Sequence, residues 1–200
     1  MVVCVLEMVA ERPCAGSRVL EHTDRHAENT LRRGATLDKT SLIGRSNLST
    51  MGNTYTSLHY HIIFSTKNRE PWLRPDIQEQ VWSYLGGIAG RHGFKTLLFG
   101  GIEDHVHGLL AVPPKTSVSE ALQVLKGGSS GWIKQTIAGC RGFAWQDGYG
   151  AFSVSKSQLA GVEEYIRGQR EHHRIKTFEE EYRAMLERHQ IDFNQRYLLD

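Results

Sequence analysis

An α+β fold follows from three observations on this 200-residue chain. Apolar patterns of period two and period 3.6 take turns along its last three-quarters, in the order strand, helix, strand, strand, helix, strand, helix. Proline or glycine punctuates most changes of period. The apolar share of 40%, with 9% aromatics, is that of an ordinary globular core.

Each element has its own signal. Leu58, Tyr60, Ile62 and Phe64 alternate with His59, His61 and Ile63, which reads as a strand. Pro71 and Pro75 end that run, and Pro75 suits the first turn of a helix. Ile77, Val81, Leu85 and Ile88 then recur at helical spacing until Gly90 and Gly93. Residues 94–99 read as a second strand, followed by a Gly-Gly turn, and 102–112 as a third strand that Pro113-Pro114 stops. Ser117 or Ser119 opens a helix through Leu122 and Leu125 that Trp132, Ile133 and Ile137 carry past Gly127-Gly128. Residues 151–154 form a short fourth strand. Ser155-Lys156-Ser157-Gln158 has the form of a capping box, so a helix starts there, and Thr177-Phe178-Glu179-Glu180 is a second. It opens a last helix with an apolar stripe of Phe178, Tyr182, Met185 and Leu186. This order is the split βαβ plan, a ferredoxin-like or RRM-like antiparallel sheet. In it the first and third strands lie side by side at the centre. Helices cover one face, and the other is expected to stay free for a ligand.

Residues 1–50 read differently. They contain no Trp, Tyr or Phe, and a chain without large anchors struggles to offset its ordering entropy. They are expected to be a disordered extension or the product of a start codon placed too early, with the functional domain at 51–200. The formal net charge is only +2, with seven Lys/Arg and six Asp/Glu in 1–50 and seventeen and sixteen in the remainder. A protein that coats duplexes would be far more basic, so any nucleic-acid binding is local. No apolar run approaches the roughly 18 residues of a membrane span, and no signal peptide is read. Cys4, Cys14 and Cys140 are odd in number and lack metal-ligand spacing, which fits a reduced, cytoplasmic protein.

Chemistry concentrates in Gly101–Leu110. His105 and His107 are two apart on a strand and share a face, while Val106 points to the other. Two imidazoles on a rigid strand make half of a metal site, although such a pair alone also suits a satisfied core. Tyr165 and Gln169, spaced i, i+4, lie on one face of a helix. Alone, the first is an ordinary core aromatic and the second an ordinary solvated amide. Together the four suggest phosphodiester cleavage by a tyrosine. Free Tyr has a pKa near ~10 and needs help, which a cation held by two imidazoles and a carboxamide can give. That ligand set by itself suits Mn²⁺ or Zn²⁺ better than Mg²⁺. No general base is evident. Lys67 and Arg69 after the first strand, and Arg167, Arg170 and Arg174 beside the tyrosine, are candidate DNA-backbone contacts. His59-Tyr60-His61 reads as sheet-face packing rather than a second metal site, and His172-His173 as a solvated helix end. Trp145, Tyr149 and Phe152 suit either base stacking or the core, with Phe152 assigned to the core.

Four motifs carry a family resemblance over residues 51–200. They are His61-Ile62-Ile63-Phe64-Ser65-Thr66-Lys67-Asn68-Arg69, Asp104-His105-Val106-His107, Trp145 through Ser155, and Tyr165-Ile166-Arg167-Gly168-Gln169. With them the chain resembles the single-tyrosine HUH transposases of the smallest bacterial insertion sequences, the IS200 group. The resemblance implies that Tyr165 is the nucleophile, forming a 5′-phosphotyrosine with single-stranded DNA and releasing a 3′-OH. It implies that His105, His107 and Gln169 hold Mg²⁺ or Mn²⁺. It also implies a homodimer, with no membrane, that recognises hairpins at the element ends in the bacterial cytoplasm, at the nucleoid when acting. In that family the tyrosine helix of one subunit commonly serves the histidines of the other. Gly161 and Gly168 are compatible with a movable helix or with close packing on the sheet. The alternatives are a non-catalytic single-stranded-DNA or hairpin-binding protein, and a domesticated relative that processes chromosomal repeat hairpins.

Overall fold

The computed structural model describes residues 55–195 and Leu198. The extension expected at 1–50 lies outside the described residues. Strands β1 (His59–Ser65), β2 (Lys95–Gly101), β3 (His105–Ala111) and β4 (Gly150–Val154) form one sheet in the order β2-β3-β1-β4. Every neighbouring pair is antiparallel. The first and third strands are central, as the ferredoxin-like plan requires.

Helix α1 (Pro75–Arg91) starts with Pro75 in its first turn, and α2 (Val118–Thr136) is capped by Ser117, whose hydroxyl accepts from the Glu120 amide at 3.1 Å. Ile77, Val81 and Leu85 of α1 and Leu122, Leu125 and Ile133 of α2 bury against Ile62, Phe64, Val106 and Leu110. Alternation decides this face: the even residues of β1 and β3 point into it. Phe143 and Trp145 close one end, and the buried Trp145 indole N–H finds the Ser129 hydroxyl at 2.9 Å.

The opposite face does not stay open, which amends the expectation of a free surface. It carries α3 (Leu159–Arg167), the single turn α4 (Gln169–His172) and α5 (Phe178–Arg188). Leu159 and Ile166 pack with Leu109 and Val154, while Phe178 and Leu186 pack with Ile63 and Phe152. The physical reason is that this face holds apolar residues between its histidines, and a sheet with two apolar faces must be covered twice.

Two details place the tyrosine helix. Ser155 makes no side-chain cap hydrogen bond, contrary to the capping box read there, and a 3₁₀ turn at Lys156–Gln158 leads into α3. Gly100 lets α3 lie close on β2: a Cβ there would come within 2.7 Å of Ile166 Cγ2 and 3.0 Å of the Ile166 carbonyl oxygen. By contrast, a Cβ at Gly161 would meet nothing within 4 Å, and one at Gly168 nothing closer than 3.4 Å. Close packing therefore does not explain those two glycines. The capping box at Thr177 is formed as read, with the Glu180 carboxylate accepting from the Thr177 amide at 2.8 Å.

Candidate active site

Strand β3 delivers His105 and His107 to the face under α3–α5, with Ser65 opposite the first and Ile63 opposite the second. Both imidazoles are completely buried. Each is held from behind through Nδ1. The Asp104 carboxylate meets His105 Nδ1 at 2.7 Å and is itself gripped by Arg69, whose Nη2 donates to it at 2.9 Å. His61 Nε2 lies 2.9 Å from His107 Nδ1. The second His-x-His thus supplies a partner for the first rather than another metal site.

The helices bring the remainder. Gly168 interrupts the backbone between Tyr165 and Gln169, yet both side chains still meet one residue of α5. That residue is Glu181, buried at 3% exposure. Its Oε1 accepts from the Tyr165 hydroxyl, and from Gln169 Nε2 at 2.9 Å. Its Oε2 lies 3.1 Å from His173 Nε2, 3.5 Å from His107 Nε2 and 3.9 Å from His105 Nε2. Gln169 Oε1 is 3.4 Å from His105 Nε2. The four residues singled out in the sequence are thereby gathered into one cluster, with Glu181 and His173 added.

Glu181 carries no motif of its own, although its position holds a signal. It stands three residues after Phe178 and four before Met185, which is a charge within the apolar stripe of α5. His173 follows Gln169 by four, as Gln169 follows Tyr165, so the three share a helical face. The solvated helix end expected for His172-His173 is half corrected: the His173 side chain is 6% exposed, His172 26%.

The electrostatics are those of a buried carboxylate among imidazoles. Burial alone would raise Glu181, but the nearby His107 and His173 rings and the Tyr165 hydroxyl outweigh it and hold the carboxyl far below the ordinary range. Burial lowers His107 to about 4 despite the Glu181 charge, and lowers His61 to about 3, helped by the His107 ring. His173 moves the other way, because Glu181 overcomes the effect of burial. For Asp104, burial is outweighed by the His105 and Arg69 hydrogen bonds, and the group stays below the usual carboxylate range. Tyr165 is pushed well above an ordinary phenol, first by burial and then by the Glu181 charge. As it stands the phenol is a poor nucleophile, and a positive charge beside Glu181 is what would reverse that.

The cluster fits a cation. His107 Nε2, His173 Nε2 and Glu181 Oε2 are buried without a hydrogen-bond partner, which ordinary packing avoids. One ligand atom from each of His105, His107, His173 and Glu181 lies within 4.8 Å of all the others. Imidazole nitrogen and carboxylate oxygen are donors suited to divalent ions.

The candidate DNA-backbone cations are scattered. Arg69 is committed to Asp104 and lies over the Phe178 ring at 5.3 Å. Lys67 pairs with Asp147 at 3.5 Å, Arg170 with Glu103 at 3.1 Å, and Arg174 with Glu171 at 3.1 Å. Arg167 is exposed. Trp145 and Phe152 are core residues, which leaves Tyr149, at 40% exposure, as the ring available for stacking.

A sheet that presents a His-x-His pair to a helix-borne tyrosine defines a class, and comparison with known proteins names it. The chain belongs to the IS200-like transposases, since the family model described as "Transposase IS200 like" matches residues 54–169. The transposase for insertion sequence element IS200 of Salmonella typhimurium is 31% identical over 127 residues, covering 60% of this chain and 82% of that protein. The ISDra2 transposase TnpA of Deinococcus radiodurans is 28% identical over 119 residues, covering 56% of this chain and 84% of that protein. A crystal structure described as a transposase of Deinococcus radiodurans is similar at 25% identity with a TM-score of 0.49, covering 60% of this chain and 97% of that one. No described helix is long and apolar enough to cross a membrane.

Proposed function

We propose that this chain cleaves and rejoins single-stranded DNA through Tyr165 in the transposition of an insertion sequence. The observation that carries the reading is the convergence of Tyr165, His105, His107 and Gln169 on one buried carboxylate, Glu181. A bound Mg²⁺ or Mn²⁺, held by His105, His107 and Gln169, would supply positive charge beside the scissile phosphate. Tyr165 Oη, on losing its proton, attacks phosphorus and forms a 5′-phosphotyrosine while the P–O3′ bond breaks; the 3′ oxygen leaves with the bonding electron pair and takes a proton from water to become a 3′-OH. Glu181 Oε1 accepts the phenolic hydrogen bond and so orients Tyr165 Oη. Asp104 and His61 hold the two imidazoles in orientation. The reverse attack by a 3′-OH rejoins the strand. Resting on family membership, the same reading has the chain act as a homodimer on strands with hairpins at the element ends.

The test is adduct formation on single-stranded hairpin DNA with and without Mg²⁺ or Mn²⁺. Tyr165→Phe is expected to abolish the denaturation-resistant protein–DNA adduct while binding persists. An adduct formed by the Phe variant would reject Tyr165 as the nucleophile, and activity unchanged by chelation would reject the metal.

A further inference from the structure

Hydrogen-bond roles in the cluster do not balance. A carboxylate accepts only, so Asp104 fixes a proton on His105 Nδ1, and a ligand would be met by the lone pair of Nε2. That lone pair faces two oxygens, Gln169 Oε1 at 3.4 Å and Glu181 Oε2 at 3.9 Å. His173 Nδ1 lies 2.9 Å from the Lys176 carbonyl, another pure acceptor, so Nε2 is again the nitrogen turned towards Glu181 Oε2, at 3.1 Å. His107 behaves the same way when its Nδ1 donates to His61. The interior of the cluster is therefore a set of inward-turned nitrogen and oxygen atoms within 4.8 Å of one another, three of them buried without a hydrogen bond. What resolves such a group is a cation at its centre.

We propose that Glu181 and His173 are further metal ligands, joining His105, His107 and Gln169 in a centre whose three imidazoles and one carboxylate prefer Mn²⁺ or Zn²⁺ to Mg²⁺. The inference rests on the metal reading above and extends it with two residues of the C-terminal segment. Neither lies in the span 54–169 that defines the family. The preference follows from the donors, since imidazole suits transition metals, whereas Mg²⁺ favours oxygen and retains its water. The ligand atoms lie within 4.8 Å of one another, against roughly 3.4 Å between tetrahedral ligands at ~2.1 Å, so closure needs side-chain movements of up to about an ångström. Each neutral histidine has its outer nitrogen occupied, which is how metal-bound imidazoles are held in orientation. Glu181 plays a second part: its other oxygen binds Tyr165 and Gln169, so one carboxylate joins the cation to the nucleophile.

Equilibrium binding of Mn²⁺ to the full chain, read from the electron paramagnetic resonance signal of the free ion, tests this without DNA. The wild type is expected to bind Mn²⁺ and to retain most of it against a roughly hundredfold excess of Mg²⁺. Glu181→Gln and His173→Ala should each weaken binding about 10–100-fold or more, and His105→Ala should abolish it. Thermal melts in chelator establish that each variant is folded, and if Glu181→Gln is not, His173→Ala decides. Wild-type affinity in the folded Glu181 and His173 variants, with His105→Ala inactive in binding, would overturn this inference alone. Absence of Mn²⁺ binding by the wild type would overturn the metal reading with it. Displacement by equimolar Mg²⁺ would overturn the preference.

Discussion

Asp104 shows how much chemistry one side chain controls. It links Arg69, 30% exposed, to His105, completely buried, and so sets which nitrogen of His105 is free. Asp104→Asn can present an amide N–H to Nδ1 and shift the ring proton to Nε2, the wrong side for a ligand. Loss of that partner is expected to weaken Mn²⁺ binding about 10–100-fold with little change in fold, measured by Mn²⁺ titration beside far-UV circular dichroism. His61→Ala acts on His107 by the same logic. Arg69 changes meaning in this light. Its sequence position suggests a phosphate contact, and its guanidinium instead anchors the carboxylate behind a histidine.

Among the elements, α3 and β2 make the decisive contact, because it sets the height of Tyr165 over the histidines. Gly100→Ala places a methyl group against both the Ile166 side chain and its carbonyl, and the backbone part of that contact cannot rotate away. A loss of about 1–3 kcal/mol in chemical denaturation is expected, with the tyrosine displaced. Gly161→Ala is the opposite case. Space is open around that position, so the helix gains intrinsic propensity, and stability should rise by about 1 kcal/mol. If α3 has to move during strand exchange, the same variant will also turn over more slowly in the adduct assay while forming the initial bond normally. A stability gain with unchanged turnover would leave these glycines without a part in motion.

For the whole molecule, the described unit begins at Tyr55 and the family match at residue 54. We propose that residues 1–50 are dispensable, and expect a chain starting at Met51 to melt at the full-length temperature and to bind Mn²⁺ equally well. A truncated chain that fails to fold would refute this. Both faces of the sheet are covered within this unit, one by α1 and α2 and the other by α3–α5. On the proposed function, single-stranded DNA that reaches Tyr165 approaches a cluster already covered by Glu181 and His173. Entry of DNA is then expected to protect different amides from exchange than the free protein does, with the change concentrated in α3–α5.

Alternation and helical spacing by themselves determined the order of elements along the chain and the burial of Val106 behind the two histidines, and the split βαβ plan that this order matches placed β1 and β3 at the centre. These are local periodicities, and period two or 3.6 is written into neighbouring residues. The resemblance of four short motifs also points to the family. Only the tertiary structure decided that His61 supports His107, that Arg69 serves Asp104, and that Glu181 sits between tyrosine and histidines. Those pairs are separated by 46, 35 and 16 residues, the last counted from Tyr165 to Glu181. No periodicity relates residues so far apart. They meet because a sheet with two apolar faces draws α5 over its second face, and the one charge in that helix's apolar stripe is carried inward with it.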